Sequence, residues 1–131
     1  GKFGASTGFR IIYAATSVAD VLSPFFLFER VRGARLNVAA DPGSELVISL
    51  ELKAAKMDLA YKTTKNAGAD GKVSLKLPYA NGYRKGNISI DPFYKLDFQK
   101  NGRRLRAKLV VNDQAVVEGI TLSDSDLEFI D

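Results

Sequence analysis

Apolar and polar residues alternate along much of this chain. In "ELVISLELK" (45–53), Leu46, Ile48, Leu50 and Leu52 share one face, with Ser49, Glu51 and Lys53 on the other. That period of two is the signature of a strand with one buried face. "KVSLKLP" repeats it with Val73, Leu75 and Leu77. "FRIIYAA" (9–15) is aromatic and β-branched, as strands prefer. "FFLFERV" (25–31) runs into "ARLNVAA", and a bend or bulge at Arg32–Gly33 interrupts the extended stretch. "DLAYKTT", "NISID", "YKLDFQ", "RLRAKLVV" and "AVVEGITL" read as further strands. Turn chemistry separates them: "DPGS" (41–44), Asp70–Gly71 where a positive φ is wanted, and Asn101–Gly102 as the strongest hairpin signal. "SVADVLS" (17–23), with Ser17 three residues before Asp20 and stopped by Pro24, predicts one short helix or an irregular connection. No helical period is sustained. The expected fold is all-β, an antiparallel sandwich or barrel-like module with at most one short helix, in a single domain over 1–131.

Composition narrows the chemistry. At 131 residues with 46% apolar side chains, the chain can bury a substantial core. Its charge of +4 comes from 19 basic and 15 acidic residues that are interspersed, which does not point to nucleic acid. Cysteine and histidine are both absent, which removes disulfides, the commonest zinc ligands, the commonest general base, and the Ser-His-Asp and Cys-His nucleophile arrangements. The apolar runs around "IIYAA" and "FFLF" are far shorter than the roughly 20 residues of a membrane helix. The chain itself is expected not to span a membrane, and any export signal is expected to lie outside it.

Candidate sites are few. Asp70, Asp91, Asp97 and Glu118 supply carboxylates, as any chain of this size would. "DSDLEFID" collects Asp124, Asp126, Glu128 and Asp131, but lacks the ligand order of a calcium loop and reads as a solvated acidic edge strand. "GKFGASTG" does not have the order of a phosphate-binding loop. In "GRRLRAK", Arg104, Arg106 and Lys108 fall on one strand face, which is either solvated or a strip for phosphate or anionic lipid. Asn87-Ile88-Ser89 is an N-glycosylation sequon, making Asn87 a possible acceptor. Tyr79 and Tyr83, with Phe93 and Tyr94, either stack on sugar rings or cap the core. No catalytic, cofactor-binding or metal-ligating residue is assigned.

Four segments, taken in chain order, together carry a family resemblance. In "FFLFERVRGARL", Phe28, Glu29, Val31, Gly33 and Ala34 fill an "FE-x-V-x-G-A" phrase. In "ADGKVSLKLPYANGY", Ala69, Asp70, Gly71, Leu77, Pro78 and Tyr79 follow the order of a turn leading into a strand that ends in "LPYS", with Ala80 in place of serine. "FRIIYAAT" is similar to "FRLVYES", and "NDQAVVEG" to a "V-x-E-x-A-V-x-x-G" strand. In this order they resemble the C-terminal extracytoplasmic region of archaeal oligosaccharyltransferases, the AglB family. The resemblance implies a parent whose multipass membrane domain moves an oligosaccharide from a dolichol-phosphate carrier to a sequon asparagine, using a divalent metal, Mg or Mn, held by acidic residues. That family's "WWDYG" motif needs tryptophan, and this chain has none. What is implied is a non-catalytic peripheral β-domain at the extracytoplasmic face of the archaeal membrane. It would have no cofactor of its own, and its partners would be the rest of the transferase and, beyond that, glycan or acceptor protein. "VRGARLNV" followed by "ADGKVSLKLP" also resembles transthyretin-like and collagen-adhesin B-type modules, and a free-standing carbohydrate-binding module is a further alternative.

Overall fold

The structure, a computed structural model, describes residues 2–3, 9–15, 25–54, 57–82, 84–85 and 87–130. The described residues form thirteen strands: β1 (Lys2–Phe3), β2 (Phe9–Ala15), β3 (Phe25–Arg30), β4 (Ala34–Ala39), β5 (Glu45–Ala54), β6 (Met57–Asn66), β7 (Lys72–Leu77), β8 (Arg84–Lys85), β9 (Ile88–Ile90), β10 (Tyr94–Lys100), β11 (Arg103–Leu109), β12 (Thr121–Leu122) and β13 (Glu128–Ile130). One helix, α1 (Asp113–Glu118), and a 3-10 turn (Asp124–Asp126) complete the described elements. The segment "SVADVLS" lies outside the described residues.

The largest sheet runs β1-β6-β5-β10-β11-β13, with β9 on the far half of β5 and β8 beyond it. A second sheet runs β12-β4-β7, and β2 pairs with β3. All three are open, so of the two expected architectures the sandwich is the one formed. Long neighbours are antiparallel; the two-residue strands β1 and β12 add in parallel to β6 and β4. The predicted period of two is realised in β5 and β7, whose Leu46, Ile48, Leu50, Leu52, Val73, Leu75 and Leu77 all enter one core. Leu36 and Val38 of β4, and Leu96 and Phe98 of β10, pack into the same core.

The turns follow their chemistry. Asn101 and Gly102 both take positive φ, 53° and 73°, the pairing that a two-residue hairpin between β10 and β11 requires. Asp41, which opens the "DPGS" turn, accepts from the backbone N–H of Asn101 (2.7 Å) and of Gly102 (2.9 Å), fastening that turn to the hairpin. Gly71 has φ +73°, and a Cβ there would sit 2.9 Å from the Ala40 carbonyl oxygen, while its own carbonyl accepts from Ala40 N–H. Left-handed backbone costs an L-residue about 1–2 kcal/mol, and shifting that backbone pair loses about 1 kcal/mol more. Gly71→Ala is expected to destabilise the domain by about 2–3 kcal/mol in urea unfolding. Gly43→Ala, at φ +76° but with nothing within 4 Å, is expected to cost only the conformational part.

One expected strand is a helix. "AVVEGITL" splits into α1 and the short β12. Asn112 caps α1 by accepting from the Ala115 N–H (2.8 Å), and Gly119 ends it in the left-handed conformation, its N–H donating to the Ala115 carbonyl. Ala115 and Val116 face the core. The cap and the glycine, seven residues apart, enforce a turn and a half of helix that the β-branched valines alone would not favour.

Candidate functional site

The deepest polar feature is a cluster of three tyrosines. Tyr61 comes from β6, Tyr94 begins β10, and Tyr79 follows β7; each is at most 1% exposed. Their rings meet edge to face, Tyr61 with Tyr79 at 5.5 Å and Tyr61 with Tyr94 at 6.4 Å between centroids. The Tyr94 hydroxyl accepts from the Tyr79 N–H (3.0 Å) and donates to the Tyr79 carbonyl (2.8 Å). The Tyr79 hydroxyl accepts from the Ile11 N–H (3.0 Å) in β2. Beside it Arg10, 1% exposed, donates through Nη1 to Asp113 Oδ1 at 3.0 Å, joining β2 to the first turn of α1. Two strands, a loop and a helix are thereby tied together.

Burial raises the tyrosine pKa values. Tyr61 and Tyr94 are held well above the ordinary range, chiefly by loss of solvent, and Tyr79 is pushed up to about 12 even though the Ile11 N–H and the Arg10 charge pull it down. Below pH about 10 the folded and unfolded tyrosines are both neutral and the cluster contributes fully to stability. Above it the unfolded phenols ionise first, so the unfolded state holds fewer protons and stability falls as pH rises toward the folded pKa values. Tyrosinate absorbance during an alkaline titration is expected to rise in a step for the buried phenols that coincides with loss of β-sheet circular dichroism. Smooth ionisation with the sheet intact would show that the cluster is solvent-accessible.

These contacts place two of the four candidate aromatics in the core. Tyr79 has no ring face open to a sugar, and Tyr94 is equally enclosed; both cap the core. Tyr83 lies outside the described residues. Phe93 is half-buried, with Lys108 Nζ 4.5 Å from its ring centroid. The carboxylates do not converge on a site. Asp70 accepts from Lys72 N–H within its turn, Asp97 pairs with Arg104 at 2.5 Å, and Glu118 accepts from Gln114. Asp124 accepts from Ala39 N–H, joining the 3-10 turn to β4, and Asp126 accepts from Ser123 N–H. Of the described residues of the acidic C-terminal segment, Glu128–Ile130 form edge strand and Asp124–Asp126 a 3-10 turn. No group of three or more acidic side chains placed to hold a metal occurs among the described residues. Asn87 is half-buried at the start of β9, and Ser89 of its sequon is paired on both sides, with Lys53 and with Arg84.

Among the described residues two concave surfaces are the most extensive. On the large sheet, Lys62, Lys95, Arg106, Val47 and Ile130 line a shallow depression of about 600 Å³. Arg104, Arg106 and Lys108 do share that sheet's outer face, as their spacing predicts, but Arg104 is taken by Asp97. The larger surface, a groove of about 800 Å³, was not legible in the sequence. Arg30 at the end of β3, Arg32 from the β3–β4 connection, Arg35 of β4 and Lys76 of β7 line it, with Phe9 and Val117 on its rim. The three arginines lie within six residues of one another, and the β4–β7 register, which sets Arg35 directly opposite Lys76, adds the fourth cation.

Residues 33–122 match the family model of the archaeal glycosylation protein B long peripheral domain. The chain belongs to that family. The matched span runs from the glycine before β4 through β12, so it contains the tyrosine cluster and most of the groove, while β1–β3 precede it and β13 follows. Structures of the oligosaccharyltransferase from Archaeoglobus fulgidus share the fold. Its apo form gives a TM-score of 0.64 at 17% identity over 78% of this chain and 12% of that one. Its complex with Zn and sulfate gives 0.63 at 17% identity, over 73% and 12%. AglB in complex with an inhibitory peptide and a dolichol-phosphate gives 0.62 at 17%, over 73% and 11%. The chain spans only about 11–12% of the transferase chains it matches. No curated protein sequence matches it. Membership of the peripheral-domain family decides against the transthyretin-like and collagen-adhesin resemblance. Among the described residues no helix is long and apolar enough to cross a membrane.

Proposed function

We propose that this chain is a non-catalytic peripheral domain of an archaeal oligosaccharyltransferase that N-glycosylates proteins at Asn-x-Ser/Thr, and that it docks on the parent and stabilises it at the extracytoplasmic face of the membrane. The observation that carries the reading is the match of residues 33–122 to the long peripheral domain, a fold that occupies a small fraction of the related transferase. The chemistry agrees with it. The most constrained polar groups, the three tyrosines and the Arg10–Asp113 pair, are spent on holding strands together. Among the described residues no three or more His, Cys, Asp or Glu side chains are grouped to hold a metal, and the Mg or Mn implied for the parent is left to the rest of the transferase. Removing the domain from the full transferase is the test. The thermal midpoint is expected to fall while sequon transfer per folded molecule is retained. Unchanged melting with collapsed transfer would mean that the domain takes part in recognition or chemistry.

The sequon at Asn87 fits the same picture. An acceptor asparagine and its hydroxyl residue must both be presented to the enzyme, and here Ser89 is locked between two strands. We expect a synthetic peptide spanning 85–91 to be glycosylated by the transferase and the folded chain not to be, as read by mass spectrometry. Efficient modification of the folded chain would instead make Asn87 a native acceptor.

A further inference from the structure

We propose that the arginine-lined groove between the β3–β4 connection and the end of α1 is the surface by which the domain docks, and that its occupant is a carboxylate-bearing segment of the parent transferase. This rests on the docking reading above and names the surface and the partner's chemistry.

Four cations, Arg30, Arg32, Arg35 and Lys76, line the groove against a single carboxylate, Glu118. Among the described residues none of the four is ion-paired, whereas Arg10 and Arg104 elsewhere are matched with Asp113 and Asp97. Arg35 and Lys76 stand directly opposite each other in the β4–β7 ladder. Like charges in that position repel, so the arrangement costs stability unless an anion sits between them.

The end of α1 does not supply that anion. Its Val116 carbonyl accepts from Gly33 N–H and its Ala115 carbonyl from the N–H groups of Gly119 and Ile120. These bonds also tie the walls together. Arg35 N–H donates to the Ile120 carbonyl, and Gly119 lies against Arg32, a Cβ there falling 3.5 Å from the Arg32 Cβ, an ordinary packing distance. A pre-shaped site avoids ordering costs when a partner arrives.

The partner's chemistry follows from the lining. Three of the four cations are arginine, whose planar fork binds carboxylates through paired hydrogen bonds. Phe9 and Val117 on the rim are 45% and 50% exposed, so the site combines aromatic, aliphatic and arginine groups as protein interfaces do. A concave site walled by a helix end and two strands accepts a protruding chain segment better than the flat surface of a bilayer.

Lys76 permits a direct test, because a carbodiimide joins an amine only to a carboxylate already in contact with it. In the full transferase, Lys76 is expected to be linked to an Asp or Glu outside residues 1–131. The link should disappear when Arg32→Glu and Arg35→Glu are combined and when salt is raised to screen the pairing. If that charge-reversed chain fails to fold, the Arg32→Gln, Arg35→Gln pair gives the same readout. Links from Lys62 or Lys95 to the parent with none from Lys76 would overturn the groove and leave docking intact, through the opposite sheet face. No link from any lysine of the domain, with melting unchanged on its removal, would overturn docking itself. Binding of the chain to phosphatidylglycerol vesicles that is lost with the same arginines, without a Lys76 link, would assign the groove to lipid and overturn the proposal.

Discussion

Tyr94→Phe, the loss of one oxygen, is expected to destabilise the domain by about 2–4 kcal/mol. That oxygen holds both the N–H and the carbonyl of Tyr79, at 3.0 and 2.8 Å, in a place where water does not reach. Stranding a buried polar group costs about 1–3 kcal/mol, and two are stranded together. The phenyl ring that remains fills the same space, so no cavity term is added and the effect isolates the hydrogen bonds. Tyr79→Phe is the internal control, since it strands only the Ile11 N–H and should cost roughly half as much. Urea unfolding should show a lower midpoint at unchanged slope for both. Equal small effects would mean that the tyrosine cluster is held by ring packing alone.

Asp113→Asn is the second large effect. Arg10 is buried to 1% exposure, and removing its carboxylate leaves a guanidinium inside the fold without that countercharge. Breaking a buried pair from one side costs about 3–5 kcal/mol, and the lower end applies because the Asp113 side chain is 38% exposed and water replaces part of the loss. Arg10→Met should cost less than Asp113→Asn, since it removes the buried charge instead of stranding it. The double variant should be nearly as stable as Arg10→Met alone, a coupling that a double-mutant cycle reads directly. Hydrogen exchange should locate the damage at β2 and the start of α1, the elements the pair joins. Additive costs in the cycle would show that the two residues act separately.

Both features depend on contacts far apart in sequence, which is why neither was legible there. The strand-end positions of Tyr79 and Tyr94 favour core-capping over sugar stacking, but they do not name the groups that the hydroxyls meet. Their partners, Ile11 and Tyr61, lie 68 and 18 residues away from Tyr79, and only the folded register supplies them. Elements governed by local rules were legible. Alternation marked β5 and β7, and Asn101–Gly102 and Gly71 adopt the positive φ that their turn positions require. "AVVEGITL" failed because two valines imitate a strand, although Asn112 and Gly119 already stood at the spacing of a helix cap and stop. The groove draws on β2, β3, β4, β7 and α1, so although Arg30, Arg32 and Arg35 sit in one segment, nothing local set Lys76, Phe9 and Val117 beside them. The family, by contrast, was visible through the order of degenerate motifs, which survives where each single motif is weak; the matched span opens at Gly33, inside "FFLFERVRGARL".

The account stands on docking, and adding the domain back in trans tests it most directly. The transferase would be prepared without this domain and then titrated with the separate 131-residue chain. The account predicts saturable binding that restores the lost thermal stability, with the turnover of each folded transferase molecule unchanged. Failure of the folded chain to bind, with a truncated enzyme that melts like the full one, would contradict it.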